Sequence, residues 1–119
     1  MNIKNSIIRT LALSAITILP TTSFAEVIEV VTVNLKEGVS YQQFAPLDQA
    51  VAIEHVSKQP GFISRESAKG QNGEWLVLVH WETTEDAEAS MNSFMDAKAA
   101  SDFVNNIDPS TMVMKRYTK

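Results

Sequence analysis

The pattern of apolar, β-branched and turn-forming residues predicts four β-strands, at residues 26–35, 62–68, 74–82 and 111–117. The first and third strands are apolar on both faces. In the first, Val27, Val31, Val33 and Leu35 share one face, and Ile28 and Val30 share the other. The third contains the run WLVLVHW. Strands of this kind are typical of a sheet that is covered on both sides.

A first helix is predicted after Ser40, because Ser40 and Gln43 have the spacing of a capping box. Pro46 lacks a backbone donor, so the helix is expected either to kink near residue 45 or to begin at Pro46. The helix should end before Pro60-Gly61. Its apolar stripe, at spacings of three and four, consists of Phe44, Leu47, Val51 and His55.

A second helix is predicted after Thr83, which can cap it, and a further helical stretch is predicted over residues 97–106. Asp108-Pro109 should close that stretch. The residues expected to face inward are Ala87, Met91, Phe94 and Met95 on the second helix and Ala100, Phe103, Val104 and Ile107 beyond it.

The order strand, helix, strand, strand, helix, strand predicts an α+β fold, a ferredoxin-like βαββαβ plait. Its four-stranded antiparallel sheet would have helices on one face only. Because two of the strands are apolar on both sides, the uncovered face would leave a large apolar patch in a monomer. We therefore expect a homodimer, formed through this face by two-fold symmetry.

The first 25 residues are typical of a cleavable signal peptide. Lys4 and Arg9 precede an apolar run of ten residues, 10–19, and Ser23 and Ala25 place small side chains before a cut after Ala25. The run is too short for a membrane helix, which needs about 20 residues. We predict a signal peptide at 1–25, one domain at 26–119, and a periplasmic or secreted protein without a membrane anchor after cleavage.

Charge and cysteine content exclude several classes of function. The net charge is −4, and removal of Lys4 and Arg9 with the signal peptide would make it −6, so nucleic acid is a poor partner. The chain has no cysteine, which excludes disulfides and a thiol nucleophile. Phosphate-loop, GxGxxG, GxSxG and HExxH motifs are absent from the sequence.

No metal site is predicted, because two histidines without cysteine give little support for zinc. The pairs Met91/Met95 and Met112/Met114 could suggest copper(I), but we interpret them as core packing. A further group is interpreted as mostly solvated or interfacial charges: Arg65, Glu66, Lys115 and Arg116.

Three short motifs resemble the antibiotic biosynthesis monooxygenase-like family of dimeric α+β barrels. They are Gln59-Pro60-Gly61-Phe62, Trp81-Glu82-Thr83 and Asp86-Ala87, and the resemblance spans nearly all of residues 26–119. That family includes cofactor-independent oxygenases of aromatic polyketides, haem-degrading enzymes and quinol oxygenases. The resemblance implies a pocket between helices and sheet.

The resemblance also bears on haem. The haem-degrading branch is similar to this chain at Trp81 but needs an axial histidine on the second helix, where Ser101 stands in the run Lys98-Ala99-Ala100-Ser101. Other members place a histidine near Ser90 or Met91. The pocket asparagine of the haem-degrading branch falls near Val31. Haem is therefore disfavoured, and no cofactor is expected.

The resemblance implies a monooxygenase-like protein acting on a small apolar, aromatic or quinone-type molecule. The alternative is a dimeric protein that binds or senses a small ligand, which could be haem, without catalysis. His55 is the candidate base, although a structural histidine is a competing interpretation. His80 could face the pocket or the dimer interface. The predicted substrate-binding residues are Trp81, Phe44, Val51, Met91 and Phe94.

Overall fold

The computed structural model describes residues 25–119. Residues 1–24 lie outside the described residues, so the predicted signal peptide and its cleavage stay predictions. Within residues 25–119, no helix has the length and apolar character needed to cross a bilayer.

Four strands form one antiparallel sheet. They are β1 (Val27–Leu35), β2 (Phe62–Lys69), β3 (Glu74–Trp81) and β4 (Ile107–Thr118), and their order across the sheet is β2-β3-β1-β4. The two strands that are apolar on both faces, β1 and β3, are the central ones. The ferredoxin-like α+β plait with helices on one face is confirmed.

Helix α1 (Tyr41–Glu54) begins at the predicted capping box. Ser40 Oγ accepts from the Gln43 amide at 3.1 Å, and Gln43 Oε1 accepts from the Ser40 amide at 3.0 Å. Pro46 lies inside the helix, so a helix start at Pro46 is wrong. The capping box satisfies the first amides, and Phe44 is fully buried, which together offset the one hydrogen bond that Pro46 cannot make.

The second helical region is more broken than the sequence indicates. Helix α2 (Thr84–Ser93) is capped by Thr83, whose hydroxyl accepts from the Asp86 amide at 3.0 Å. A single 3₁₀ turn and the short helix α3 (Ala100–Asn105) follow it. Strand β4 then begins at Ile107 and not at residue 111. Pro109 is tolerated there because β4 is an edge strand. One side of an edge strand has no neighbouring strand, so the N–H that proline lacks is not needed for pairing.

The core lies between the helices and one face of the sheet. On β3 the side chains that face the helices are buried, while those on the other face are half-buried. We call that other face the open face, because no helix covers it within the described residues. Its apolar residues are Ile28, Val30, Leu76, Leu78, Val113 and Tyr117.

The methionines on α2, on the turn after it and on β4 are not core residues, so their interpretation as core packing is wrong. Met95 is 60% exposed, and Met91, Met112 and Met114 are also exposed. The break in the helix after Ser93 explains the error for Met95, because helical spacing no longer applies beyond it. Met112 and Met114 lie on the edge strand β4, which has a partner strand on one side only.

Candidate functional site

A cavity of about 120 Å³ lies between the sheet and the helices. Three side chains of β3 form its floor, and α2, the turn after it and α3 form its roof. Apart from Glu29, Arg65 and Ser90, all lining residues are apolar. The lining consists of Glu29, Val31, Val56, Arg65, Val77, Val79, Trp81, Ser90, Met91, Phe94, Phe103, Val104 and Met112. An apolar cavity with a few polar groups is typical of a small-molecule site.

Trp81 is the largest side chain of the cavity floor. It is 1% exposed, and its ring packs edge-to-face on Phe62 with centroids 5.9 Å apart. Its indole Nε1 is buried and has no hydrogen-bond partner among the described residues. A tryptophan of this kind offers a flat apolar wall and a free N–H donor to a bound molecule.

An aromatic chain supports the opposite side of the cavity. Phe94 packs on Phe103 with centroids 5.6 Å apart, and Phe103 packs on Phe44 at 5.0 Å. Phe44 in turn packs edge-to-face on Trp75 at 5.2 Å. Phe94 and Phe103 line the cavity, whereas Phe44 lies behind them in the core.

The structure brings three of the predicted substrate-binding residues to the cavity and leaves two outside it. Trp81, Met91 and Phe94 line the cavity. Phe44 and Val51 are fully buried on α1 and are not among the lining residues. Met91 and Met112 are partly exposed, so the cavity has flexible thioether side chains where it meets the surface.

His55, the predicted base, is buried at the end of α1 and is not among the lining residues. The Gln59 amide nitrogen donates to the His55 carbonyl at 3.2 Å and lies 3.3 Å from Nδ1. The other ring nitrogen, Nε2, lies 3.4 Å from the Ser90 carbonyl oxygen and 3.2 Å from Ser93 Oγ. His55 therefore links α1 to α2, and a catalytic role for it stays a prediction.

A buried carboxylate on α1 holds Arg65 beside the cavity. Asp48 is 3% exposed and accepts from Arg65 Nη1 at 3.0 Å, Arg65 Nη2 at 2.8 Å, Ser67 Oγ at 2.7 Å and Trp75 Nε1 at 3.1 Å. The Arg65 side chain is only 7% exposed. The expectation that Arg65 is solvated or interfacial is therefore wrong, because its partner on α1 could not be identified from the pattern of β2.

A second buried pair lies on the other side of the cavity. Arg116 Nε donates to Glu29 Oε2 at 2.8 Å, and the Glu29 side chain is 5% exposed. Arg116 on β4 stands directly opposite Glu29 on β1. Arg116 itself remains 19% exposed, so its cross-strand carboxylate leaves it partly buried and not fully solvated as expected.

Glu29 and Arg65 are cavity residues that the sequence analysis did not identify. The burial of Glu29 could have been inferred from strand periodicity, because Glu29 shares a face with Val27 and Val31. A charged residue on the buried face of a central strand is rarely left without a partner. Arg65 had no comparable signal, because β2 is largely exposed along its length.

His80 lies on the open face and is not among the residues that line the cavity. Its Nδ1 is 2.8 Å from Glu26 Oε2, and the same oxygen accepts from Lys119 Nζ at 2.7 Å. The two bonds hold the pKa of Glu26 below its usual value, the Lys119 bond contributing most. His80 thus joins the start of β1 to the end of the chain.

Metal and haem ligands are not brought together among the described residues. No group of three or more His, Asp or Glu side chains in residues 25–119 could hold a metal ion. The residues that line the cavity include no histidine, cysteine or tyrosine, which are the usual proximal ligands of haem oxygenation and peroxide chemistry. The lining therefore does not fit haem as an oxygen-activating group.

Comparison with known proteins supports the fold of this chain but not a specific activity. No protein-family profile and no curated protein sequence matches the chain. Among solved structures, the chain is similar to SnoaB, a cofactor-independent oxygenase from Streptomyces nogalater, with a TM-score of 0.64 and 13% identity over 80% of this chain and 93% of that one. A candidate antibiotic biosynthesis monooxygenase from Caulobacter crescentus CB15 gives a TM-score of 0.64 and 12% identity, over 81% and 91% of the two chains.

A third similar structure is a candidate antibiotic biosynthesis monooxygenase from Chloroflexus aurantiacus, with a TM-score of 0.58 and 18% identity over 79% of this chain and 92% of that one. The chain therefore spans nearly the whole length of these proteins. It has the fold of the antibiotic biosynthesis monooxygenase-like proteins.

Proposed function

We propose that this chain is an antibiotic biosynthesis monooxygenase-like protein of the cell envelope, which oxygenates a small aromatic or quinol-type molecule without a cofactor. The main observation is the cavity whose floor includes Trp81. This cavity is apolar and has aromatic side chains on two sides. A cavity of about 150 Å³ holds benzene, so this cavity of about 120 Å³ suits a ligand of at most one ring, and substituents would require the exposed, flexible Met91 and Met112 side chains to move. The cofactor-independent oxygenase SnoaB shares the fold.

Chemistry without a cofactor requires a substrate whose anion can itself transfer an electron to oxygen. The protein then has three tasks: to orient the ring, to exclude water and to accept a proton from the substrate. Trp81 and Phe94 suit the first two tasks, since both are rigid and line the cavity. His55 was predicted for the third task, but its ring nitrogens are engaged between α1 and α2.

Oxygen uptake with a panel of hydroquinones and anthrones tests this proposal. The mature chain, free of added metal and cofactor, should consume oxygen with at least one of them. Trp81→Phe should lower the rate, because it removes the wide wall and the indole donor. Trp75→Phe is the comparison for loss of a buried indole outside the cavity lining, and its stability is measured beside its rate because Trp75 Nε1 donates to Asp48. The absence of oxygen uptake across the panel would contradict an oxygenase.

A second candidate is a protein that binds or senses a small ligand without turnover. It is favoured by the absence of histidine among the lining residues of the described chain. In that case ring compounds should quench tryptophan fluorescence while oxygen consumption stays at the background rate. Haem titration belongs to the same test, and a shifted Soret band would support haem as the ligand.

We also propose that the working form is a homodimer joined through the open face. The support is the row of half-buried and exposed apolar side chains on central strands β1 and β3 and on edge strand β4. Contiguous apolar surface of this kind is usually covered by a partner. Two copies related by a two-fold axis would each cover the patch of the other.

A further inference from the structure

Polar groups of opposite hydrogen-bonding character flank the floor of the cavity. Arg65 on β2 and Glu29 on β1 both stand beside Val79, in one row across the sheet. Two strand spacings of about 4.8 Å separate their Cα atoms by roughly 10 Å. All three residues line the cavity. A ring lying on Val79 would therefore have a donor group on one side and an acceptor group on the other.

Two N–H groups of the cavity lining are unused. Arg65 Nε and Trp81 Nε1 are buried and have no acceptor among the described residues. Arg65 cannot turn away, because both of its Nη atoms donate to Asp48. Buried donors without a partner are rare in native proteins, and an acceptor oxygen on a ligand would satisfy them.

The charge balance at Arg65 indicates which acceptor fits. Asp48 already neutralises the guanidinium at 2.8 Å. A ligand carboxylate would add a net negative charge to an apolar cavity, which costs free energy, whereas a ring that passes its proton to Glu29 inside the cavity leaves the net charge unchanged. An uncharged carbonyl oxygen avoids that cost and has two lone pairs with which to accept from these donors.

The acceptor side is the carboxylate of Glu29. One of its oxygens, Oε2, accepts from Arg116 Nε, and an ionised carboxylate can accept about four hydrogen bonds. Capacity therefore remains for a ligand hydroxyl. A hydroxyl that donates to a carboxylate forms one of the stronger hydrogen bonds in proteins.

We propose that the cavity selects small rings with a hydroxyl and a carbonyl on opposite sides, such as para-hydroxyaryl ketones. The hydroxyl faces Glu29, and the carbonyl faces Arg65 and Trp81. The inference rests on the proposed function and names its substrate class. When the ring ionises, its O–H bond breaks, the proton binds the Glu29 carboxylate, and the electron pair delocalises onto the carbonyl oxygen beside the two donors. The same arrangement would thus bind the ring and stabilise its anion.

Binding to the mature chain under nitrogen tests this selectivity without any turnover. The probes are 4-hydroxyacetophenone, acetophenone and phenol, titrated against tryptophan fluorescence, with difference absorbance to detect the ionised ring. The compound with both groups should bind about tenfold more tightly than either compound with one group. Ionisation should be visible for bound 4-hydroxyacetophenone at a pH where the free compound is neutral.

Two variants separate the two sides. Glu29→Gln should lower the preference for 4-hydroxyacetophenone over acetophenone and abolish the ionised spectrum. Trp81→Phe should lower the preference over phenol. Glu66→Gln is the matched control, because Glu66 is an exposed carboxylate on the opposite face of the sheet, and it should change neither preference.

Equal affinities for the three probes, or no binding of 4-hydroxyacetophenone, would overturn the inference. A preference that Glu29→Gln and Trp81→Phe leave unchanged would also overturn it. The oxygenase proposal fails separately: a selective cavity without oxygen uptake contradicts turnover alone, whereas uptake of oxygen with unselective binding contradicts the inference alone.

Discussion

Gly61 lies against the side chain of Asp86 so closely that a β-carbon at position 61 would overlap the carboxylate. The Gly61 carbonyl accepts from the Glu82 amide at 2.8 Å, and the Asp86 amide donates to the Thr83 hydroxyl. The short motifs that resemble the monooxygenase-like family thus meet at one corner, where β2, β3 and α2 join. Packing at this corner explains why those residue types occur together.

Gly61→Ala should lower the free energy of unfolding by about 2–4 kcal/mol, since it adds a clash to a backbone with φ of +80°. Urea unfolding measures the change. Gly38→Ala is the matched control, because Gly38 has φ of +86° but no atom within 4 Å of the added carbon. It should lose only about 1–2 kcal/mol. Equal losses in the two variants would contradict a close contact at Gly61.

Asp48→Asn should destabilise the fold by about 3–5 kcal/mol, because it leaves the buried Arg65 guanidinium without a counter-charge. Glu54→Gln, on the exposed end of the same helix, should change stability by less than about 0.5 kcal/mol. Replacing both partners, in Asp48→Leu with Arg65→Leu, should cost less than Asp48→Leu alone. Additive losses in the double variant would show that the pair is not coupled.

His55→Ala should lower stability by about 1–3 kcal/mol through the loss of its bonds between α1 and α2. Because His55 does not line the cavity, binding of 4-hydroxyacetophenone should change less than about threefold, against about tenfold for Glu29→Gln. Thermal unfolding and the fluorescence titration measure the two effects. A folded His55→Ala protein that binds normally but has lost all oxygen uptake would identify His55 as the base after all.

Acid should weaken the link between the start of β1 and the end of β4. Hydrogen bonds from Lys119 and then His80 hold the pKa of Glu26 below its usual value of 4.5. A lowered folded pKa means that this contribution is present above pH 4.5 and is lost as the pH falls through the folded value. Urea midpoints between pH 6 and 3 should therefore fall less steeply in Glu26→Gln than in the wild type, and Glu66→Gln should match the wild type.

Leu78→Lys should convert the proposed dimer to a monomer, because it places a charge at the centre of the open face. Sedimentation velocity over a range of concentrations detects the change. Ile53→Lys is the control, since Ile53 is an exposed aliphatic residue on α1, away from that face. A wild-type chain that is monomeric at high dilution while fully folded would contradict the dimer.

Local signals in the sequence were enough for the number and order of the strands and for the helix caps at Ser40 and Thr83. The assignment of apolar side chains to the two faces of β1 and β3 depends only on neighbouring residues. The capping box at Ser40 is formed within four residues. These features predict the fold class without knowledge of any distant contact.

Contacts between distant residues decided the rest. Arg65 is buried because Asp48, 17 positions away, accepts hydrogen bonds from both of its Nη atoms. Glu29 is buried opposite Arg116, which is 87 positions away. The pattern of residues along β1 or β2 does not identify an ion-pair partner on another helix or strand. The sequence by itself therefore determined a two-sided sheet and its helices, whereas only the tertiary structure placed a donor and an acceptor on either side of Val79, because that arrangement depends on the register between three strands.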